Sequence, residues 1–136
     1  MTRITHKTAV LAKEKGYNEP NRYYSDSEDP TGEVKISLFG LTYSSSESKT
    51  LVTRPTQSEL QKWLRDEHRI HMYVEPYWNT REDAMNNVKP SYVWWNIYGY
   101  LEDSEEIDGY FDTYEEALEV ALFESLKVIA PKLNNL

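Results

Sequence analysis

Three groups of residues in this chain have types and spacings that bear on chemistry: a histidine pair, an acidic stretch and a strand of large aromatic rings. The pair is His68 and His71, with Glu67 and Glu75 close by and His6 as the third histidine. Helical metal pairs stand four residues apart with a glutamate between them, as in H-E-x-x-H, because that spacing stacks both imidazoles on one helix face. Here the spacing is three and crosses an expected helix–strand junction. The pair therefore reads as a positive helix C-terminus followed by a solvent-facing strand residue. Asp103 to Tyr114 has the outline of a calcium loop. However, Ile107 stands where an oxygen ligand is needed, Asp108 where the sharp turn wants glycine, and Tyr114 where the loop needs a bidentate glutamate. A solvated hairpin tip fits better. There is no G-x-S-x-G elbow, no glycine-rich phosphate loop and no cysteine. Thiolate nucleophiles, disulfides and Cys-ligated metals are thereby excluded. With 23 carboxylates in the chain, acidic pairs arise by chance. These residues point to no catalytic set, no cofactor and no metal site, and the expectation is that the protein is not an enzyme.

The aromatic strand is more informative. Between Tyr92 and Leu101 the side chains alternate, with Tyr92, Trp94, Asn96, Tyr98 and Tyr100 on one side and Val93, Trp95, Ile97, Gly99 and Leu101 on the other. The second set is expected in the core, with Val93, Trp95 and Ile97 buried beside Leu64, Leu118 and Leu122. Two readings of the first set stay open. It is covered by the N-terminal segment, with Tyr23, Tyr24 and Phe39 as neighbours, or it is a partly exposed platform for a protein partner or a second copy. Tyr92, Trp94, Tyr98 and Tyr100 are the candidate interaction surface.

The elements that position these residues follow from period and caps. Thr5 is placed to cap a short helix whose apolar stripe is Ile4, Thr8, Leu11 and Ala12, and Gly16 sits where a left-handed C-cap belongs, with Tyr17 folding back. Tyr23 and Tyr24 begin a strand, and residues 25–32 are dense in turn formers. Val34, Ile36 and Leu38 alternate with Glu33, Lys35 and Ser37, the pattern of a half-buried strand over Glu33–Leu41. Residues 44–49 form a polar loop. Thr56-Gln57-Ser58-Glu59 and Thr113-Tyr114-Glu115-Glu116 are capping boxes that open two helices. Ile70, Met72 and Val74 alternate with His71, Tyr73 and Glu75 in a strand, Thr80 caps a helical turn in the connection after it, residues 102–106 form a charged turn, and 107–111 return as a strand. The chain is thus expected to be a single α+β domain over residues 1–136. Residues 1–55 supply an N-terminal helix plus an irregular and strand segment. Residues 56–130 run helix-strand-strand-strand-helix, a mainly antiparallel sheet with its helices on one face.

At 136 residues the chain has the length of one domain, typically about 100–200 residues. Its net charge of −8 is uneven. Residues 1–24 carry 5 basic and 2 acidic side chains, whereas residues 91–136 carry 2 basic and 10 acidic ones. The order of the last five elements matches a double-stranded-RNA-binding domain, but those domains aim lysines from the start of the last helix at phosphates, and this helix opens with Glu115 and Glu116. Nucleic acid is therefore disfavoured. No apolar run approaches the roughly 20 residues that span a bilayer, and the first 15 residues lack the apolar core of a secretory signal, so the expectation is cytoplasmic with no membrane partner.

Pro55-Thr56-Gln57-Ser58-Glu59-Leu60-Gln61-Lys62-Trp63-Leu64-Arg65, followed by His68-x-Ile70-His71, resembles an element of small proteins of gut-bacterial phages and prophages. Thr113-Tyr114-Glu115-Glu116-Ala117-Leu118-Glu119 and Ala12-Lys13-Glu14-Lys15-Gly16-Tyr17 are similar to segments of the same proteins. The resemblance implies a phage or mobile-element origin. It implies no activity and no site residues. Together these readings lead to a non-catalytic, protein-binding accessory protein, with an enzyme of unrecognised type as the alternative and a nucleic-acid module behind it.

Overall fold

The structure, a computed structural model, describes residues 2–98, 104–106 and 109–130. Its elements are α1 (His6–Glu14), β1 (Tyr23–Asp26), β2 (Lys35–Ile36), β3 (Leu51–Thr53), α2 (Gln57–His68), β4 (Ile70–Tyr77), α3 (Arg81–Met85), β5 (Ser91–Tyr98), β6 (Ser104–Glu106) and α4 (Tyr114–Lys127). They form an α+β fold with two antiparallel three-stranded sheets, ordered β2-β1-β3 and β4-β5-β6. Both sheets contribute to one buried cluster: Val52 from the first, Ile70, Met72 and Trp94 from the second, with Leu60 and Leu64 of α2, Leu118 and Leu122 of α4, and Ala9 and Ala12 of α1. The helices α2 and α4 therefore lie on the same face of the second sheet.

Helix boundaries follow the local chemistry. The Thr56–Glu59 box closes in both directions: Thr56 N–H donates to Glu59 Oε1 at 2.8 Å, and Glu59 N–H to Thr56 Oγ1 at 3.2 Å. The second box closes in one direction only, with Glu116 N–H on Thr113 Oγ1 at 3.1 Å. α1 ends as expected. Gly16 takes φ 98°, Tyr17 N–H reaches back to Ala12 O at 2.9 Å, and Gly16 N–H reaches Lys13 O at 3.1 Å. Tyr17 is then buried, its ring 5.1 Å from that of Trp63 in an edge-to-face contact. Burial, Glu59 and Glu19 together push its phenol pKa up.

Two charged groups, the half-buried Glu119 and the buried Arg54, fasten the N-terminal elements to the rest. Glu119 of α4 accepts from Thr5 N–H (3.0 Å), Thr5 Oγ1 (2.9 Å) and Thr8 Oγ1 (2.5 Å) at the start of α1, and from Gln57 Nε2 (3.1 Å) at the start of α2. A carboxylate at a helix N-terminus is favoured by the dipole as well as by these donors. Arg54 donates Nε–H to Ile4 O at 2.9 Å and Nη1–H to Gly32 O at 2.7 Å, so one guanidinium ties the first residues to the turn before β2. Its burial lowers its pKa, an effect opposed by the field of Glu119.

Three expectations are corrected. First, the faces of β5 are exchanged. The antiparallel register pairs Met72 with Asn96 and Val74 with Trp94, so Trp94 and Asn96 share the helix-facing side of β4 and are completely buried. Trp95 lies on the opposite side, half-buried, with its Nε1–H on Glu75 Oε1 at 2.6 Å. Val93 is buried but outside the cluster that holds Leu64, Leu118 and Leu122, and the side chain of Ile97 lies outside the described residues. Second, Glu33–Leu41 is not a half-buried strand. Only Lys35 and Ile36 pair with β1, and Val34, Ile36 and Leu38 face solvent. Phe39 and Gly40 take φ 58° and 70°, which turns the chain away from the extended form. Third, Ser104–Glu106 is a strand on β5 rather than part of a turn, while Ile107 and Asp108 of the expected return strand lie outside the described residues. Phe111 bridges Tyr92 alone.

Candidate functional site

The expected interaction surface does not come together as one exposed face. Trp94 is 0% exposed and packs in the main cluster, on the side of β5 that α4 covers, rather than under Tyr23, Tyr24 or Phe39. Among the described residues its Nε1–H has no hydrogen-bond partner. Tyr92 is half-buried, 6.3 Å from the ring of Tyr114 in an edge-to-face contact. Tyr100 and the side chain of Tyr98 lie outside the described residues.

The histidines do not converge. His68 packs against Trp63 at the end of α2, ring centroids 4.6 Å apart, and burial lowers its pKa more than Glu67 raises it. His71 is exposed on the far face of β4. His6 makes a 3.1 Å contact from Nδ1 to Ser25 Oγ on the other sheet. Among the described residues, no group of three or more His, Asp or Glu side chains is placed to hold a metal ion.

The cations of the basic N-terminal third are largely engaged within the protein. Arg3 lies 3.4 Å over the ring of Tyr23 and donates to Arg54 O. Lys13 Nζ donates to the carbonyls of Ser48, Lys49 and Leu51 at 2.5, 3.0 and 2.7 Å, and burial lowers its pKa. Lys15 Nζ donates to Ile129 O at 2.5 Å. These ammonium groups serve as loop and helix-end anchors and offer little to a phosphate backbone.

Two surface features remain. The first is the apolar turn between β2 and Tyr43. Leu38 is 70% exposed and Phe39 94% exposed, and Val34, Ile36 and Leu41 are exposed beside them. The turn is braced from behind: Ser37 N–H donates to Arg22 O at 2.8 Å, Leu41 N–H to Leu38 O at 3.2 Å, and the Ser37 hydroxyl to Leu41 O. Phe39 thus projects from a defined backbone. The second is a cleft of about 280 Å³ under the connection from β4 to β5. Its aromatic walls are Tyr77, Trp78 and Tyr110, with the Tyr77 and Tyr110 rings 4.8 Å apart and tilted by 37°. Asn79, Asp83, Lys89 and Ser91 supply its polar groups. Neither feature was singled out from the sequence. Phe39-Gly40 is a turn signal that falls inside the strand expected over Glu33–Leu41, and the cleft depends on Tyr110 returning to Tyr77 from far along the chain. Another hollow of about 290 Å³ beside Trp63 and Tyr17 is rimmed by Glu19, Glu59, Asp66, Glu67 and Lys62.

No protein-family model matches this chain, and no curated protein or solved structure matches it. Among the described residues no helix is long and apolar enough to cross a membrane.

Proposed function

We propose that this is a non-catalytic, protein-binding accessory protein of phage or mobile-element origin, and that it engages its partner through the apolar turn centred on Leu38 and Phe39. The observation that carries the reading is that five apolar side chains from one short segment, Val34, Ile36, Leu38, Phe39 and Leu41, stand exposed together. Leaving a Leu or Phe side chain in water forgoes about 1.5–3 kcal/mol of burial each. Large apolar side chains left exposed in one segment mark an interaction site. The bracing of the turn by Ser37 lowers the ordering cost of binding, so Phe39 is suited to be an anchor in a partner's pocket. Glu33 and Lys35 leave the segment locally neutral within an acidic protein, which favours contact with an apolar surface over a nucleic acid.

The test is affinity capture from the native host, phage-infected cells included, with the wild type beside the Leu38→Ser, Phe39→Ser double variant. The expected result is a protein partner recovered reproducibly by the wild type and lost with the variant. Recovery of nucleic acid alone, or a partner retained equally by the variant, would overturn the proposal.

A further inference from the structure

The cleft between β4 and Tyr110 is accounted for neither by the core nor by the apolar turn, and we infer that it binds a neutral polyhydroxylated ring, a single saccharide unit. The inference is independent of the protein-binding turn, because the two features share no residue.

Tyr77 and Tyr110 are both exposed, Tyr110 by 59%, and their rings stack on each other, centroids 4.8 Å apart and tilted by 37°, as one aromatic wall of the cleft. Trp78 is fixed in place by its own polar atom: Nε1–H donates to Val88 O at 2.6 Å. Val88 N–H in turn donates to Asp83 O at 3.1 Å, and Asp83 N–H to Thr80 Oγ1 at 3.1 Å. The loop that closes the cleft is therefore held by a chain of bonds from Thr80 to Trp78, so the walls stand in place before a ligand arrives.

The polar groups decide the class of ligand. Asn79 offers both donors and acceptors, Ser91 a hydroxyl that does either, Asp83 an acceptor and Lys89 a donor. A purely apolar ligand would desolvate four polar side chains and return no hydrogen bonds, which costs free energy for each group left unpaired. Val88 is the one aliphatic side chain among the lining residues, so there is little surface to offset that cost. A phosphate or other anion would meet one lysine beside a carboxylate, where bidentate arginines or several cations are wanted. A pyranose answers both halves of the site. It has a face of C–H groups that lies on an aromatic ring and an edge of hydroxyls that donate and accept. The volume, about 280 Å³, suits one such ring rather than an extended chain.

The experiment is a ¹H–¹⁵N NMR titration of the intact protein with methyl β-D-glucoside, methyl α-D-mannoside, galactose and N-acetylglucosamine at millimolar concentration, and with uridine monophosphate as the anionic comparison. At least one sugar should shift the Trp78 indole and Asn79 signals in a saturable way. Tyr110→Ala should weaken that binding by about tenfold, and Tyr110→Phe, which keeps the stacking surface, should retain it. Tyr110 is exposed, so circular dichroism and the melting temperature should confirm that both variants fold. The inference is overturned if no sugar moves these signals, if the shifts persist unchanged in Tyr110→Ala, or if the nucleotide binds more tightly than every sugar.

Discussion

Replacing Trp94 separates a core residue from an interface residue more sharply than any other single change. The side chain is completely buried in the main cluster, on the face of β5 that α4 covers. Truncating a buried Trp to Ala typically costs about 3–5 kcal/mol, through lost transfer energy plus the cavity left behind. Whole-domain stabilities are about 5–15 kcal/mol, so Trp94→Ala should leave the fold marginal. For a chain of this length each kcal/mol moves the melting point by roughly 3–5 °C, so a fall of about 10–25 °C is expected. Trp94→Phe should behave differently. Its Nε1–H is buried without a partner among the described residues, and removing an unsatisfied donor recovers about 1–3 kcal/mol of desolvation penalty. That gain opposes the smaller loss of ring area, so the net change should stay within about 1.5 kcal/mol. The assay is urea unfolding followed by circular dichroism, with light scattering to report the oligomeric state. Trp94→Ala melting like the wild type while losing association would refute the assignment and restore the aromatic strand as an interface.

Further outcomes follow from the same structure. Gly32 has φ +61°, and a Cβ there would stand 2.5 Å from His6 Cβ and 2.7 Å from Cγ, so Gly32→Ala should cost more than about 2 kcal/mol in urea unfolding. Gly40 has φ +70° with nothing within 4 Å, and Gly40→Ala should cost only the backbone penalty of about 1–2 kcal/mol; equal losses at the two positions would contradict the contact with His6. Glu119→Gln converts one acceptor oxygen of a four-donor carboxylate into a donor, and should cost about 2–4 kcal/mol by the same assay. His68 has a pKa below its ordinary 6.5, so the unfolded chain binds its proton more readily. Stability should therefore fall as pH drops through 6.5 toward the lower folded value, and His68→Gln should flatten that part of the pH profile; an unchanged profile would count against the burial of His68.

Much of the architecture was legible because single residues marked it. Thr5, Thr56, Thr80 and Thr113 each cap the helix that follows them, and Gly16 ends α1 in the expected left-handed geometry. The alternation of β4 placed Ile70 and Met72 inside and His71 and Tyr73 outside. β5 defeated the same reasoning because both its sides carry tryptophan, so its pattern has no polar face to settle the parity. Only register settles it, through Val74 against Trp94. That register depends on the connection from Trp78 to Pro90, which is too long for a turn type to fix it. The segment Val34–Leu38 failed for a different reason. Alternation separates two sides of a strand without saying that either is covered, and here the apolar side is exposed. The apolar turn and the cleft both depend on backbone geometry and long-range return of the chain, which no local pattern encodes.

The central claim, that the surface acting on a partner is the turn at Phe39 and not the sheet, is tested most directly by site-specific photocrosslinking in the native host. A benzophenone amino acid replaces Phe39 in one variant and Tyr73, which is exposed on the open face of β4, in another. A covalent adduct with one partner protein is expected from position 39 and none from position 73. An adduct from position 73 with none from position 39 would contradict the claim.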